Sequence, residues 1–225
     1  ESVLIAENEF QSISGIVNLS DQTLSITQFQ ALPSLGGIAT ATGYLDLGNT
    51  DGDFNFNLSS SQVPIVVNQI PLEIITAETT IFGSLDNLSQ TQGKVKGELS
   101  LKEGIIRVDS FNFTGLNWQT NLTIANLNLD SHYLNSQLTI SGDYLDLSKI
   151  NATGEASLTG VFGIIKTNNF QLNNGNWSSN IQGEDLDLFL ALNGKVGNSL
   201  DDFTAQGYGS LDLANQGNII IDSLD

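Results

Sequence analysis

The chain has 225 residues with 25 Asp and Glu against 7 Lys and Arg, a net charge of −18, and contains neither Cys nor Met. The seven bases form no cluster that could neutralise successive phosphates, which excludes nucleic acid; an anionic membrane surface would meet like charge, so any lipid contact must run through acyl chains. No disulfide or thiolate metal site can form, and with 40% hydrophobic but only 14% charged residues the polar surface falls to Asn, Ser, Thr and Gln.

Asn, Thr and Gly are poor in helix interiors, whereas Val, Ile, Phe and Thr suit a half-buried pleated surface, so the chain is expected to be β throughout. It opens at Glu1 and holds no apolar run long enough to span a bilayer. Residues 1–225 are therefore expected to be a repeat-containing fragment of a longer protein.

In chain order, the first strong signal is GYLDL from Gly43, a Gly followed by alternating apolar residues. Next comes GNTDGDFN, in which Asn49, Asp51, Asp53 and Asn55 resemble half of a calcium loop without its closing acidic ligand. Asx-rich turns of this kind also arise because the side chains cap the local backbone. Phe54, Phe56 and Leu58 then alternate with polar residues, as one wet and one apolar sheet face require. Residues 63–75 break the pattern with a nearly continuous apolar run carrying Pro64 and Pro71. That composition predicts an edge strand, a bulge or a loop over the apolar face.

GELSL from Gly97 leads to FNFTGLNW, where a turn at Thr114-Gly115 would set Phe111 opposite Trp118 with Phe113 on the same side. Leu122 and Ile124, then Leu127 and Leu129, continue the apolar stripe. His132, the only histidine, sits near an expected turn with no nucleophile elbow in the chain, which favours a solvated turn residue over a catalytic base. GEASL from Gly154 leads to FQLNNGNW, whose Asn174-Gly175 is the preferred dipeptide of a type I′ hairpin turn and would pair Leu172 with Trp177, Phe170 lying nearby. Ile181 follows, matching Leu122, and Leu186, Leu188, Leu190 and Leu192 then alternate, with Asp185 and Asp187 on the solvated side, before GSLDL from Gly209.

The four Gly-led phrases start near 43, 97, 154 and 209, so they lie 54, 57 and 55 residues apart. Six apolar positions also match between the second and third units at a fixed offset of 59, from Phe111 with Phe170 to Leu129 with Leu188. Such regularity marks a repeat architecture, with about five antiparallel strands fitting each unit. The asparagines of the six sequons, Asn18, Asn57, Asn87, Asn121, Asn151 and Asn176, are expected from composition alone.

The Gly-led alternating strands, the LNNGNW hairpin and the repeated G-x-L-x-L, G-I-I, F-x-L and W text resemble the central repeats of the TamB family of AsmA-like, bridge-like envelope proteins, in a cyanobacterial style. The resemblance implies an elongated antiparallel sheet curled into a U-shaped trough, apolar inside. It also implies a periplasmic segment of an inner-membrane-anchored protein that meets an Omp85-class outer-membrane partner through other regions. The role implied is conduction of phospholipid or chaperoning of apolar outer-membrane strands, without catalysis or cofactor. The apolar residues named above would contact acyl chains or apolar β-strands. Two alternatives stand beside it: a structural spacer or adhesin-like stalk whose apolar faces close into a dry core, and a carbohydrate-active enzyme, for which no carboxylate constellation can be assembled.

Overall fold

In the computed structural model, residues 3–5, 8–67, 70–101, 104–161, 163–184, 187–196, 203–212 and 218–224 are described. They form two compact units, residues 1–101 with 105–118, and residues 102–104 with 119–225. The first unit contains β1 (Val3–Ile5), β2 (Asn8–Ser20), β3 (Thr23–Pro33), β4 (Ile38–Asp46), β5 (Asp53–Val67), β6 (Ile70–Ser84), a short 3-10 helix (Leu85–Gln90), β7 (Gln92–Leu101) and nearly all of β8 (Gly104–Thr114). Most of β9 (Asn117–Leu129) lies in the second, followed by β10 (His132–Asp143), β11 (Asp146–Gly160), β12 (Gly163–Asn173), β13 (Asn176–Gly183), β14 (Asp187–Val196), β15 (Phe203–Asp212) and β16 (Asn218–Leu224). Within each unit the strands hydrogen-bond in chain order, and neither unit is closed by pairing of its first strand with its last. The fold is thus all-β and open, and its registers run antiparallel.

The repeat glycines fall at one kind of place. Gly43 pairs with Phe56, Gly97 with Ala77, Gly154 with Phe170 and Gly209 with Leu190. They belong to β4, β7, β11 and β15, so successive repeats are three, four and four strands apart rather than five. The difference comes from strand length. Bulges interrupt the alternation inside long strands, which makes one strand look like two shorter ones in the sequence.

In β3 the register slips between Ile26 and Phe29, and in β12 between Thr167 and Gln171. In β6 the register against β7 slips between Ile74 and Thr76, opposite Gln62 of β5, which takes φ 52°; in β9 Asn126 takes φ 53° and its N–H donates to Asn135 Oδ1 at 2.9 Å. A bulge adds one residue to one strand and so exchanges the faces of everything after it. The sequence is written to match: Leu24 and Ile26 are followed by Phe29 and Ala31, and Leu122 and Ile124 by Leu127 and Leu129.

Pro64 pairs with Glu73 and Pro71 with Val66, whereas the ladder of β4 on β5 stops at Ser61 and that of β7 on β6 stops at Glu73. Pro64 therefore lies beyond the end of the β4 ladder and Pro71 beyond the end of the β7 ladder, the edge position their missing N–H permits.

Candidate functional site: a charge-free sheet face

Residues opposite each other in a ladder share a face, so register alone assigns the two sides of each unit. In the first unit, Leu45 pairs with Phe54, Ala41 with Leu58, Phe56 with Ile81, Val63 with Ile74, and Ile74 with Leu99. In the second, Leu134 pairs with Leu158, Ile140 with Ala152, Ala152 with Leu172, Leu172 with Trp177, Ile181 with Leu190, and Leu188 with Leu211. Apolar positions predicted from the sequence and apolar positions it did not single out thus lie on one face of each unit.

Charge is confined to the other. Glu73, Glu78, Lys94, Lys96 and Glu98 pair on the opposite face of the first unit. Glu155, Lys166, Asp187, Lys195 and Asp212 do so in the second. Lys96 bonds Glu78 at 2.8 Å, Arg107 bonds Glu98 at 2.6 Å, and Lys166 bonds Glu184. The hydrogen bond and charge of Glu98 raise the pKa of the Arg107 guanidinium above its ordinary value. Asn, Ser and Thr fill the remaining positions and tie neighbouring strands: Thr80 donates to Asn57 at 2.9 Å and Thr139 to Asn121 at 2.8 Å. The latter bond fixes Asn121 on the polar face and hence Leu122 and Ile124 on the apolar one.

Glycine and aromatic rings interlock on the apolar face. The ring of Phe56 lies across Gly43, that of Phe113 across Gly93, and that of Phe54 against Gly83. Trp177 lies across Gly194, where an added methyl would sit 2.7 Å from Nε1, and Nε1–H donates to the Thr204 carbonyl at 2.9 Å. Rings laid over cross-strand glycines cover backbone that would otherwise face water, which accounts for Gly within strands that propensity would fill with Val or Ile. Phe54 stacks on Phe56 with centroids 6.0 Å apart, Phe111 on Trp118 at 6.0 Å, and Phe111 approaches Phe113 at 6.1 Å.

The two tryptophan hairpins agree more closely than the sequence suggested. Asn174 and Gly175 take φ 47° and 76°, a type I′ turn that pairs Asn173 with Asn176 and Leu172 with Trp177. In the sister hairpin the turn residues are Gly115, at φ 58°, and Leu116, flanked by Thr114 and Asn117. The expected turn at Thr114-Gly115 is therefore one residue too early. With the turn at Gly115-Leu116 the two hairpins align at the offset of 59, and the apparent difference in register disappears.

Among the described residues, the apolar face of each unit carries no second layer of its own. Among the described residues no large side chain is fully buried, and the buried hydrophobic ones are Ala31, Val63, Ala152 and Trp177. Leu58 is 43% exposed and Leu129 44%. Phe170, Leu122, Ile124, Leu127, Ile181, Leu188, Leu190 and Leu192 are half-buried. Leu186 and Asp185 lie outside the described residues. The residues missed from sequence, such as Leu134, Leu138, Ile140 and Ile165, carried a usable signal: LNSQLTI alternates, but with Ser136 at one inward position the stripe looked broken.

His132 is half-buried rather than solvated, with its ring across Gly160 and Nδ1 donating to the Asp130 carbonyl at 3.2 Å. In the Asx-rich loop, Asn49 Nδ2 donates to Asp53 Oδ2 at 2.8 Å and the Gly48 N–H to Asp46 Oδ1 at 2.9 Å, so these side chains cap local groups. Among the described residues no three His, Cys, Asp or Glu side chains are grouped to hold a metal. Shallow depressions occur where polar side chains gather, one of them lined by Asn135, Gln137, Glu155, Ser157, Lys166 and Asn168. Comparison with known proteins returned no matching family model, curated protein or solved structure.

Proposed function

We propose that this chain holds the acyl chains of phospholipid, or apolar β-segments of outer-membrane proteins, against its charge-free sheet face. The observation that carries the proposal is the segregation of charge: the ladders put Leu, Ile, Phe and Trp on one side and the paired Glu, Lys and Asp on the other, with no layer over the apolar side. A sheet built only to be stable would bury that face against a second layer. Left open, it shields an alkyl chain from water at about 0.8 kcal/mol per buried CH₂. With no charged group on that side in the paired strands, the face offers a series of equivalent sites, which favours movement along it over tight retention. The resemblance to TamB-type repeats supports placing the chain in the periplasm, within an inner-membrane-anchored protein that reaches an Omp85-class partner through other regions.

Photocrosslinking amino acids tested one at a time at Leu58 and Leu190, and at Asn57 and Asn193 on the opposite face, decide the matter. In the presence of phospholipid vesicles, Leu58 and Leu190 should capture acyl chains and the two Asn positions should not. Equal capture on both faces, or none at either in a protein that also binds no hydrophobic dye, would replace this reading with the closed spacer.

A further inference from the structure

Two aromatic rings of the second unit stand on the face that otherwise carries its charges. Phe189 and Tyr208 belong to the polar side of β14 and β15, with ring centroids 6.4 Å apart, and Tyr208 is 59% exposed. They do not join the apolar stripe, whose members in these strands include Leu188, Leu190, Leu192 and Leu211. Register places them instead at the end of an unbroken cross-strand line. Asn135 pairs with Ser157, Ser157 with Lys166, Lys166 with Gln182, Gln182 with Phe189 and Phe189 with Ser210, so one row of side chains crosses β10 to β15. A second row runs beside it: Gln137 pairs with Glu155 at one end, and Asn180 with Ala191 and Ala191 with Tyr208 at the other. The bulge in β12 sets Asn168 and Asn169 between these ends, where Asn169 Oδ1 accepts the Asn180 N–H at 2.9 Å.

At the β10 end the rows border a depression of about 340 Å³ between Asn135, Gln137, Glu155, Ser157, Lys166 and Asn168. At the other end the two rings lie beside the exposed amides of Asn180 and Gln182. The charged members of the rows are Glu155 and Lys166, the latter bonded to Glu184, so in a chain of net charge −18 this band carries almost none. Such a surface selects its ligand by chemistry. Each amide presents a donor and an acceptor together, as a sugar hydroxyl requires. An aromatic ring takes the flat C–H face of a pyranose, while polar groups around it hold the rim. Polyanions are repelled by the charge of the chain, and an acyl chain laid here would leave the amides unpaired.

We infer that the polar face of β10–β15 binds a linear, uncharged polysaccharide, laid across the strands from the depression to the Phe189–Tyr208 pair. From β10 to β15 at about 4.8 Å per strand the line is about 24 Å long, which accommodates about five linked sugars. The site lies opposite the charge-free face and does not depend on what that face carries. Isothermal titration of the full chain with cellohexaose and with chitohexaose tests it. At least one should bind with a Kd below about 1 mM, and its disaccharide, which spans only part of the line, should bind at least about tenfold more weakly. Hexagalacturonate, of similar length but anionic, should not bind. Tyr208→Ala should weaken hexasaccharide binding about tenfold and Gln182→Ala about threefold, whereas Tyr208→Phe, which keeps the ring, should bind like the wild type. Both positions are exposed, so these variants should fold normally. Tyr44→Ala, at an exposed polar-face position of the first unit, should change nothing. No binding of either neutral hexasaccharide at about 2 mM, a disaccharide or hexagalacturonate that binds as tightly, or a Tyr208→Ala variant that binds like the wild type would overturn the proposal.

Discussion

Trp177 is the best-buried aromatic of the apolar face at 8% exposure, and its replacement tests whether that face is packed as described. An aromatic side chain buries about 150–250 Å². At about 25 cal/mol per Å² that is about 4–6 kcal/mol, an upper bound because the unfolded chain is already partly compact. The neighbours Leu172 and Gly194 border an open face, so they can relax into the space left, and the loss moves to about 3 kcal/mol. The Nε1–H bond to the Thr204 carbonyl adds about 1 kcal/mol. Trp177→Ala should therefore cost about 4 kcal/mol in the second unit, and at an m-value of about 2 kcal/mol/M lower its urea midpoint by about 2 M. Trp177→Phe keeps most of the ring area but loses the donor, so about 1–2 kcal/mol is expected. Urea titrations followed by circular dichroism measure both. A midpoint shift below about 0.5 M for Trp177→Ala, or a Phe variant as damaged as the Ala variant, would refute the packing and hydrogen-bond assignments.

Three further substitutions test the glycines. Gly194→Ala, favourable by strand propensity alone, should destabilise by about 1–3 kcal/mol because its methyl would meet the Thr204 carbonyl and Trp177; thermal melting against wild type checks the sign. At the hairpin turns, Gly175→Ala should cost about 1–2 kcal/mol for a side chain at φ 76°. Gly115→Ala should cost more, since its Cβ would also run into the Ser89 carbonyl, and the difference in urea midpoint between the two variants measures the added clash.

The sequence by itself determined what depends on near neighbours along the chain. Period-two alternation placed Phe54, Phe56 and Leu58 on one side, since successive side chains of an extended chain must point to opposite faces. Asn174-Gly175 named its own turn, because these residues accept positive φ at low cost. The repeat spacing likewise marked one strand position in each repeat where a neighbouring strand's carbonyl lies too close for a side chain. Tertiary structure decided what depends on a partner distant in sequence. The positive φ of Asn126 and the slip between Thr167 and Gln171 look like strand breaks in the text, yet cross-strand bonds carry β9 and β12 through them, which lowers the strands per repeat from five to three or four. The turn moved to Gly115-Leu116, where the Gly115 N–H finds the Thr91 carbonyl at 2.8 Å, a partner 24 residues back in the chain. Leu134, Leu138 and Ile165 joined the apolar face by the same means: alternation fixes which residues travel together, but only register fixes which residues they meet.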